Sequence, residues 1–195
     1  MAATSRLPKS VKIAPGAIVC EESELVGDIT IGTRTVIHPK AKIIAEAGPI
    51  VIGEGNIIEE MVVILNRLPE DMKGSGDKHQ VLVIGNNNVF EVGAQVLAMK
   101  IGDQNYVESK AMIGPRVELT SGCIIGASCS VVGDEKLYEN TIITGANCKR
   151  RIQREKPPAQ TLQIDFLSKI LPNYHYTLKV TQTSRQPASS PVTPK

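Results

Sequence analysis

An aliphatic residue returns at every sixth position along most of this chain of 195 residues. Ile, Leu, Val and Phe make up 54 of those residues, so a run of eight consecutive matches arises by chance with a probability of roughly 4 in 100,000. We call these positions anchors. They are Ile13, Val19, Leu25, Ile31, Ile37 and Ile43, then Ile52, Ile58 and Ile64, then Ile84, Phe90 and Val96, and last Ile101, Val107, Ile113, Leu119, Ile125, Val131, Leu137 and Ile143.

The residues next to the anchors repeat with the same period. All six Ile-Gly dipeptides of the chain place their Ile at an anchor. The fourth residue after an anchor is usually small or turn-forming, as at Thr35, Asn56, Asn88, Ala111 and Cys123. The repeat unit is therefore aliphatic-Gly-x-x-small-x.

A period of six fits neither the 3.6 residues of a helical turn nor the two-residue alternation of a simple strand. It suits a short strand followed by a corner, where Gly or Asn takes a left-handed or tight backbone conformation. Three such sides close a triangle of about eighteen residues, and triangles stacked about 4.8 Å apart pair every strand with its neighbours. The spacing predicts a parallel β-helix of about six to seven coils over residues 11–150, filled by aliphatic side chains.

Composition excludes several classes of function. The chain has no Trp, two Phe and four Tyr, which argues against an aromatic ligand pocket and against base-stacking platforms for single-stranded nucleic acid. A net charge of +2 is too small for a nucleic-acid footprint. Residues 1–10 hold no apolar run, and no stretch approaches the roughly 20 apolar residues of a membrane span, so we expect a soluble intracellular protein. Four cysteines without a CxxC pair indicate small buried thiols in a reducing compartment.

The hexad register breaks three times. Nine residues separate Ile43 from Ile52, and five separate Val96 from Ile101. The third break holds the polar segment 66–80, which we predict to be a loop protruding from one corner. Such a loop is either an interaction site or a neutral insertion, and the sequence leaves both open.

The repeat stops after Cys148. A basic stretch follows, with Lys149, Arg150 and Arg151 at its start, and we interpret it as a solvated turn. Residues 160–171 predict a helix that ends before Pro172, because Leu162, Phe166 and Ile170 recur every four residues with Ile164, Leu167 and Leu171 beside them. This helix should pack lengthwise on one flat face of the β-helix, within a segment spanning residues 151–176.

The two ends of the chain are predicted to lack fixed structure. Residues 1–10 are expected to be flexible, and residues 177–195 to form a disordered tail that is rich in Ser, Thr and Pro from Thr181 onward. Ser190 and Thr193 each precede a proline, which is typical of a proline-directed phosphorylation site. Phosphate at either residue would add a charge of about −2.

The repeat unit resembles the hexapeptide-repeat, left-handed β-helix superfamily. That resemblance implies the left hand of the coil, since general chirality rules favour right-handed crossovers. The superfamily includes acyltransferases, which need a His as general base, and carbonic anhydrases, which need three His ligands around zinc. Of the three histidines here, His38 follows an anchor at a corner, His79 lies in the predicted loop and His175 lies near the C-terminus. We expect His38 to be an exposed structural residue, and we assign no catalytic, cofactor or metal residues.

Several longer segments are similar to the dynactin subunit 6 family. They are KSVKIAPGAIVC, TVIHPKAKIIAEAGPIVIGEGNIIEE, IGNNNVFEVG, LTSGCIIGA, ENTIITGANCKRR and TLQIDFLSKILPNYH, and together they span nearly all of residues 9–176. The resemblance implies a β-helix with a C-terminal helix and a non-enzymatic subunit of the dynactin pointed-end complex. It further implies pairing with dynactin subunit 5, contact with dynactin subunit 4 and the pointed-end actin-related protein, and a location in the cytoplasm, on the cytoskeleton and at the kinetochore.

Two hypotheses from different classes follow. The first is a scaffold subunit that supports dynein-dynactin cargo attachment and microtubule-based transport, without a cofactor or metal. The alternative is a hexapeptide-repeat acyltransferase or an enzyme like carbonic anhydrase. The enzymes of this superfamily are typically homotrimers with sites between subunits, so oligomeric state separates the two.

Overall fold

A three-sided parallel β-helix is the core of the computed structural model, which describes residues 11–69 and 80–180. Face A contains β1 (Val11–Ile13), β4 (Ile29–Ile31), β7 (Ile50–Ile52), β10 (Leu82–Ile84), β13 (Lys100–Ile101), β16 (Val117–Leu119) and β19 (Glu135–Lys136). Face B contains β2 (Ile18–Val19), β5 (Val36–Ile37), β8 (Ile57–Ile58), β11 (Val89–Phe90), β14 (Tyr106–Val107), β17 (Ile124–Ile125), β20 (Thr141–Thr144) and β21 (Lys149–Ile152). Face C contains β3 (Glu24–Val26), β6 (Lys42–Ala45), β9 (Val63–Asn66), β12 (Gln95–Val96), β15 (Met112–Ile113) and β18 (Ser130–Val131).

The hexad register predicts the core correctly. Anchors of successive coils stack directly on one another, as in the parallel pairing of Ile31 with Ile52 and of Ile52 with Ile84. All twenty anchors are buried, and none exposes more than 8% of its surface. Six full coils and part of a seventh follow, which confirms the predicted left-handed parallel β-helix.

The glycines of the Ile-Gly pairs serve the stacking rather than a left-handed turn. A Cβ built on Gly32 would lie 2.3 Å from the carbonyl oxygen of Gly53, and one built on Gly53 would lie 2.6 Å from that of Gly85. Only glycine lets adjacent coils approach this closely. The left-handed backbone conformation lies two residues later, where Arg34 and Lys110 also adopt it (φ 56° and 58°). Our expectation that Gly or Asn would fill this position is therefore only partly right.

A column of buried polar side chains runs along the corner between faces A and B. The Oδ1 atom of Asn56 accepts hydrogen bonds from the backbone N–H and the Nδ2 of Asn88, both at 2.9 Å. Asn88 accepts two bonds from Asn105 in the same way, and Asn105 accepts the N–H of Cys123 at 2.7 Å. These asparagines occupy the fourth position after their anchors. Each one satisfies backbone N–H groups that a tight corner would otherwise leave without partners.

All three register breaks lie at one corner, between face C and face A. The anchors on either side of each break still pair in register, so this corner accommodates two insertions and the one-residue deletion between Val96 and Ile101 without shifting the core. Asn66, which we placed in the protruding loop, instead ends β9 and is buried. Its Nδ2 donates to the carbonyl oxygens of Gly48 and Gln80, at 2.9 and 2.6 Å, and so closes the base of the loop. Residues 70–79 lie outside the described residues.

The basic stretch after Cys148 is a strand rather than the solvated turn we expected. β21 pairs antiparallel with β20, with Ile142 opposite Arg151 and Ile143 opposite Arg150. The physical reason is that β20 would otherwise end face B with an unpaired edge, and the chain reverses at Gly145 (φ 80°) to cover it. Residues 153–160 then run back from the last coil, and Tyr106 of β14, in the fifth coil, donates its hydroxyl hydrogen to the carbonyl oxygen of Pro158.

The C-terminal helix α1 spans Thr161–Tyr174 and packs along face B, as predicted. It is longer than predicted. We expected the helix to end before Pro172, but Pro172 lies within its last turns. Fourteen residues reach about 21 Å, close to the rise of about 19 Å over four coil steps. Ile164, Leu167 and Leu171 pack against an outward row of face B that contains Cys20, Val36, Ile57 and Val89. Within the described residues, no helix is long and apolar enough to span a bilayer.

Candidate interaction surfaces

His38 lies at the corner after β5 and is buried, not exposed as expected. Its Nδ1 lies 2.9 Å from an Oε1 of Glu60, while its Nε2 has no hydrogen-bond partner. Burial raises the pKa of the Glu60 carboxyl, but the hydrogen bonds from His38 and from the backbone of Glu60, together with the nearby imidazoles of His38 and His175, outweigh it, so the pKa of Glu60 lies below its ordinary value. The contact with Glu60 holds the imidazole in place, and 8% of the residue is exposed.

Of the other two histidines, His175 forms a separate pair and does not join His38 in a site. His175 follows α1 and its Nδ1 lies 3.0 Å from an Oε2 of Glu22, and His79 lies outside the described residues. Over residues 11–69 and 80–180, no three His, Cys, Asp or Glu side chains are placed to hold a metal ion. Of these two histidine–glutamate pairs, His38 and Glu60 link the second and third coils, and His175 and Glu22 link the first coil to the segment after α1.

The first coil is covered by the chain's own C-terminal segment. Glu21 donates its N–H to the carbonyl oxygen of Tyr176, and Leu178 donates to that of Val19, each at 2.8 Å. Thr177 forms an antiparallel bridge with Cys20, and Leu178 packs against the core. The predicted disordered tail therefore begins too early at 177, because these residues cap the edge of β2.

The opposite end of the β-helix is closed on one side only. β21 covers the last strand of face B, whereas within the described part of the chain no strand pairs with the outer edge of β19 on face A or of β18 on face C. Arg150 reaches from β21 to Glu135 on β19 and donates to both of its carboxylate oxygens, at 2.5 and 2.7 Å. This bond holds the pKa of Glu135 below its ordinary value. The pair ties face A to face B across the end of the core.

An open cavity of about 260 Å³ lies beside this ion pair, and we call it the end cavity. The buried side chains of Leu137 and Thr141 contribute to its lining, together with Tyr138 and Ile152. Tyr138 is 82% exposed and Ile152 is 61% exposed, which is high for apolar side chains. The end cavity is therefore apolar on one side and bounded by the Arg150–Glu135 pair on the other.

A second exposed apolar surface lies on the outer side of α1. Leu162 and Phe166, which revealed the helical period, are 84% and 61% exposed, and Tyr174 and Tyr176 are exposed beyond them. The opposite stripe of α1 is the one that packs on face B. Hydrophobic periodicity alone could not separate the two stripes, because both are apolar at helical spacing.

Other predicted features fall outside these surfaces. Ser190 and Thr193 lie outside the described residues, so phosphorylation there stays a prediction, and so does the role of the loop at 66–80. Sequence reasoning missed the end cavity entirely. The one signal for it was that the hexads stop at Ile143 while a basic stretch continues.

Comparisons with known proteins bear on what these surfaces serve. No family profile matches the chain. Dynactin subunit 6 of Xenopus tropicalis is 58% identical over 182 residues, which cover 93% of this chain and 90% of that protein. This chain belongs to the dynactin subunit 6 family. A second member of that family, from Danio rerio, is also 58% identical over 184 residues, or 93% of this chain and 94% of that protein.

More distant likenesses agree with the fold of the dynactin subunit 6 family. The crystal structure of a hexapeptide transferase family protein from Anaplasma phagocytophilum superposes with a TM-score of 0.55 at 17% identity, covering 84% of this chain and 88% of that one. A carbonic anhydrase from Methanosarcina thermophila is 23% identical over 137 residues, which are 65% of this chain and 55% of that protein. The superposition shows a shared fold, and neither likeness carries an activity to this chain.

Proposed function

We propose that this chain is a non-enzymatic scaffold subunit of dynactin, placed in its pointed-end complex. The observation that carries the proposal is the 58% identity to dynactin subunit 6 over more than nine tenths of both chains. In this role it pairs with dynactin subunit 5, another β-helix, beside dynactin subunit 4 and the pointed-end actin-related protein. The assembly acts in the cytoplasm on the cytoskeleton, kinetochores included, and supports the attachment of cargo to dynein for microtubule-based transport.

The surfaces of the described residues suit a scaffold. The core is filled by aliphatic side chains, and the four most exposed large apolar side chains, Leu162, Tyr174, Tyr176 and Tyr138, lie on or just after α1 and at the end cavity. Exposed apolar groups of this kind mark places where a partner binds. The buried His38, held by Glu60, is poorly placed to act as a general base on a substrate.

Copurification tests membership directly. The full chain, tagged at one end and expressed in cells, should recover the other dynactin subunits in defined proportion. It should also sediment with them as a large particle in a density gradient. A chain that sediments alone, with dynactin intact in other fractions, would contradict the proposal.

The enzyme alternative is tested on the same purified protein. We expect no zinc at stoichiometric level by elemental analysis, and no hydration of carbon dioxide above the uncatalysed rate. Turnover that disappears in the variant His38→Ala would replace the scaffold proposal with the enzymatic one.

A further inference from the structure

The incomplete end of the β-helix has the features of a strand-acceptor site. A solenoid exposes unpaired backbone and a slice of its core at each end, and both need a cap or a partner. At the first coil, residues 176–178 bond to β2. At the last coil, β21 is the outermost strand of face B, and its own outer edge is unpaired within residues 11–69 and 80–180.

The charge on β21 indicates what kind of strand would fit. All four of its residues are exposed, and three of them are cationic. Arg150 is engaged by Glu135, but among the described residues no carboxylate pairs with Lys149 or Arg151. These two side chains alternate with Arg150 along the strand, so they lie on the same outward side. An acidic segment would find two unpaired cations along this edge.

The end cavity supplies the apolar half of the site. It lies beside β21, with Ile152 and Tyr138 exposed at its rim and Leu137 buried below. A strand laid on the edge of β21 would point alternate side chains toward the cavity and toward the cations. Backbone hydrogen bonds then give affinity, and the pocket for one apolar side chain gives specificity.

We propose that the outer edge of β21 receives an extended acidic segment of a neighbouring dynactin subunit, with one apolar side chain in the end cavity. This inference rests on the proposed membership in dynactin. It adds which end of the molecule is docked and which chemistry the docked segment carries. The exposed stripe of α1 remains free in this arrangement.

The first test reverses charge on the edge strand. The double variant Lys149→Glu and Arg151→Glu changes two exposed side chains and should keep the melting temperature of the isolated chain. We expect it to recover at least tenfold less of the other dynactin subunits from cell extract than the unchanged chain does. The matched control, Lys12→Glu and Lys100→Glu on face A, makes the same change in net charge at two exposed positions and should recover dynactin normally.

The outcomes separate this inference from the function on which it rests. Normal recovery by the β21 variant overturns the docking site while leaving dynactin membership intact. No recovery by the unchanged chain means that the proposed function itself has failed. Equal loss in both double variants would show that net charge, and not this edge, controls assembly, and would also overturn the site.

Hydrogen exchange provides the second test, because charge attraction alone would not protect backbone amides. In the purified complex, outer-edge amides of residues 149–152 should exchange at least tenfold more slowly than in the isolated chain. Unchanged exchange there would reject strand pairing. Recovery of nuclease-sensitive RNA in place of protein on the unchanged chain would reject an acidic polypeptide as the occupant.

Discussion

At the scale of single residues, this protein depends on a column of buried asparagines whose side chains are hydrogen-bonded. The asparagine column provides the side-chain acceptors that the corner between faces A and B requires, coil after coil. A buried group whose partner is removed loses a hydrogen bond and keeps its desolvation cost. Substitutions in the column should therefore lower the free energy of unfolding by more than the number of atoms removed would suggest.

Replacing Asn88 by Ala is expected to lower the free energy of unfolding by about 3 kcal/mol. The change leaves the N–H of Asn105 without its acceptor and removes the Nδ2 donor from Oδ1 of Asn56, which keeps only the backbone N–H of residue 88. Urea denaturation followed by circular dichroism measures this loss. The control Asn173→Ala, at an exposed position on α1, should shift the value by less than about 0.5 kcal/mol. Equal effects from the two variants would contradict the role of the column.

The thiol of Cys20 should be unusually inert. Burial, followed by the negative charges of Glu22 and Glu60, raises its pKa from the ordinary 9.0 to about 11. At pH 8 the thiolate is then roughly a hundredfold rarer than in the unfolded chain, and the thiolate is the species that reacts. Alkylation by iodoacetamide, followed by peptide mass spectrometry, should be at least that much slower in native protein than in urea. The partly exposed Cys148 provides an internal reference. Equal rates at Cys20 in both states would refute the prediction.

At the scale of single elements, the coil and the helix are constrained in different ways. Each coil is only a few ångströms from the next, so the residue after an anchor must often lack a Cβ. Helix α1 is fixed by a narrow row of side chains on face B and leaves its other stripe exposed. The coils are therefore sensitive to added side-chain volume after an anchor, and α1 is sensitive to the loss of side-chain volume from its packed stripe.

Gly53→Ala should destabilise the fold by about 1–3 kcal/mol, as overpacking generally does. The new Cβ would lie 2.4 Å from Oδ1 of Asn86 and 2.6 Å from the carbonyl oxygen of Gly85, and the backbone there cannot move without breaking the ladder. Gly133→Ala is the matched control, since the nearest atom is a side-chain oxygen of Glu135 at 3.2 Å rather than backbone. Calorimetry should show a lower Tm for the first variant and an unchanged or slightly higher Tm for the second.

The docking of α1 can be tested with two aliphatic residues of the same helix. Ile164→Ala removes a side chain that is 2% exposed and should cost about 2–4 kcal/mol in the free energy of unfolding. Leu162→Ala removes one that is 84% exposed and should cost less than about 0.5 kcal/mol. Urea denaturation of both variants measures the difference. A larger loss from Leu162 would mean that the other stripe of α1 faces the β-helix.

At the scale of the whole molecule, the chain closes one end of its own solenoid and leaves the other incomplete. The segment after α1 returns to the first coil, so the C-terminal part of the sequence protects the start of the fold. The last coil has β21 on face B and bare edges on faces A and C within the described residues. This asymmetry is the basis for placing a partner at the last coil.

The isolated chain should be a monomer of about 21.0 kDa by light scattering at micromolar concentration. Helix α1 occupies face B along most of its length, which removes one of the three flat faces that side-by-side packing of β-helices would use. A stable particle of three times this mass would instead favour the enzymatic alternative, in which sites form between subunits.

Much of this protein is determined by its sequence alone. The six-residue spacing identifies every core anchor, because each aliphatic side chain needs only to point inward and stack on its own kind. The same pattern could not reveal why Gly32 is glycine, since the clash comes from Gly53, 21 positions away. Nor could it find the left-handed corner residues, because closure of the coil imposes that conformation on Arg34 and Lys110 whatever their preference. The buried pair of His38 and Glu60, the stripe of α1 that docks, and the incomplete last coil were likewise decided by tertiary structure. Each of these depends on contacts between segments that are far apart in the sequence, and a pattern of local spacing carries no information about such contacts.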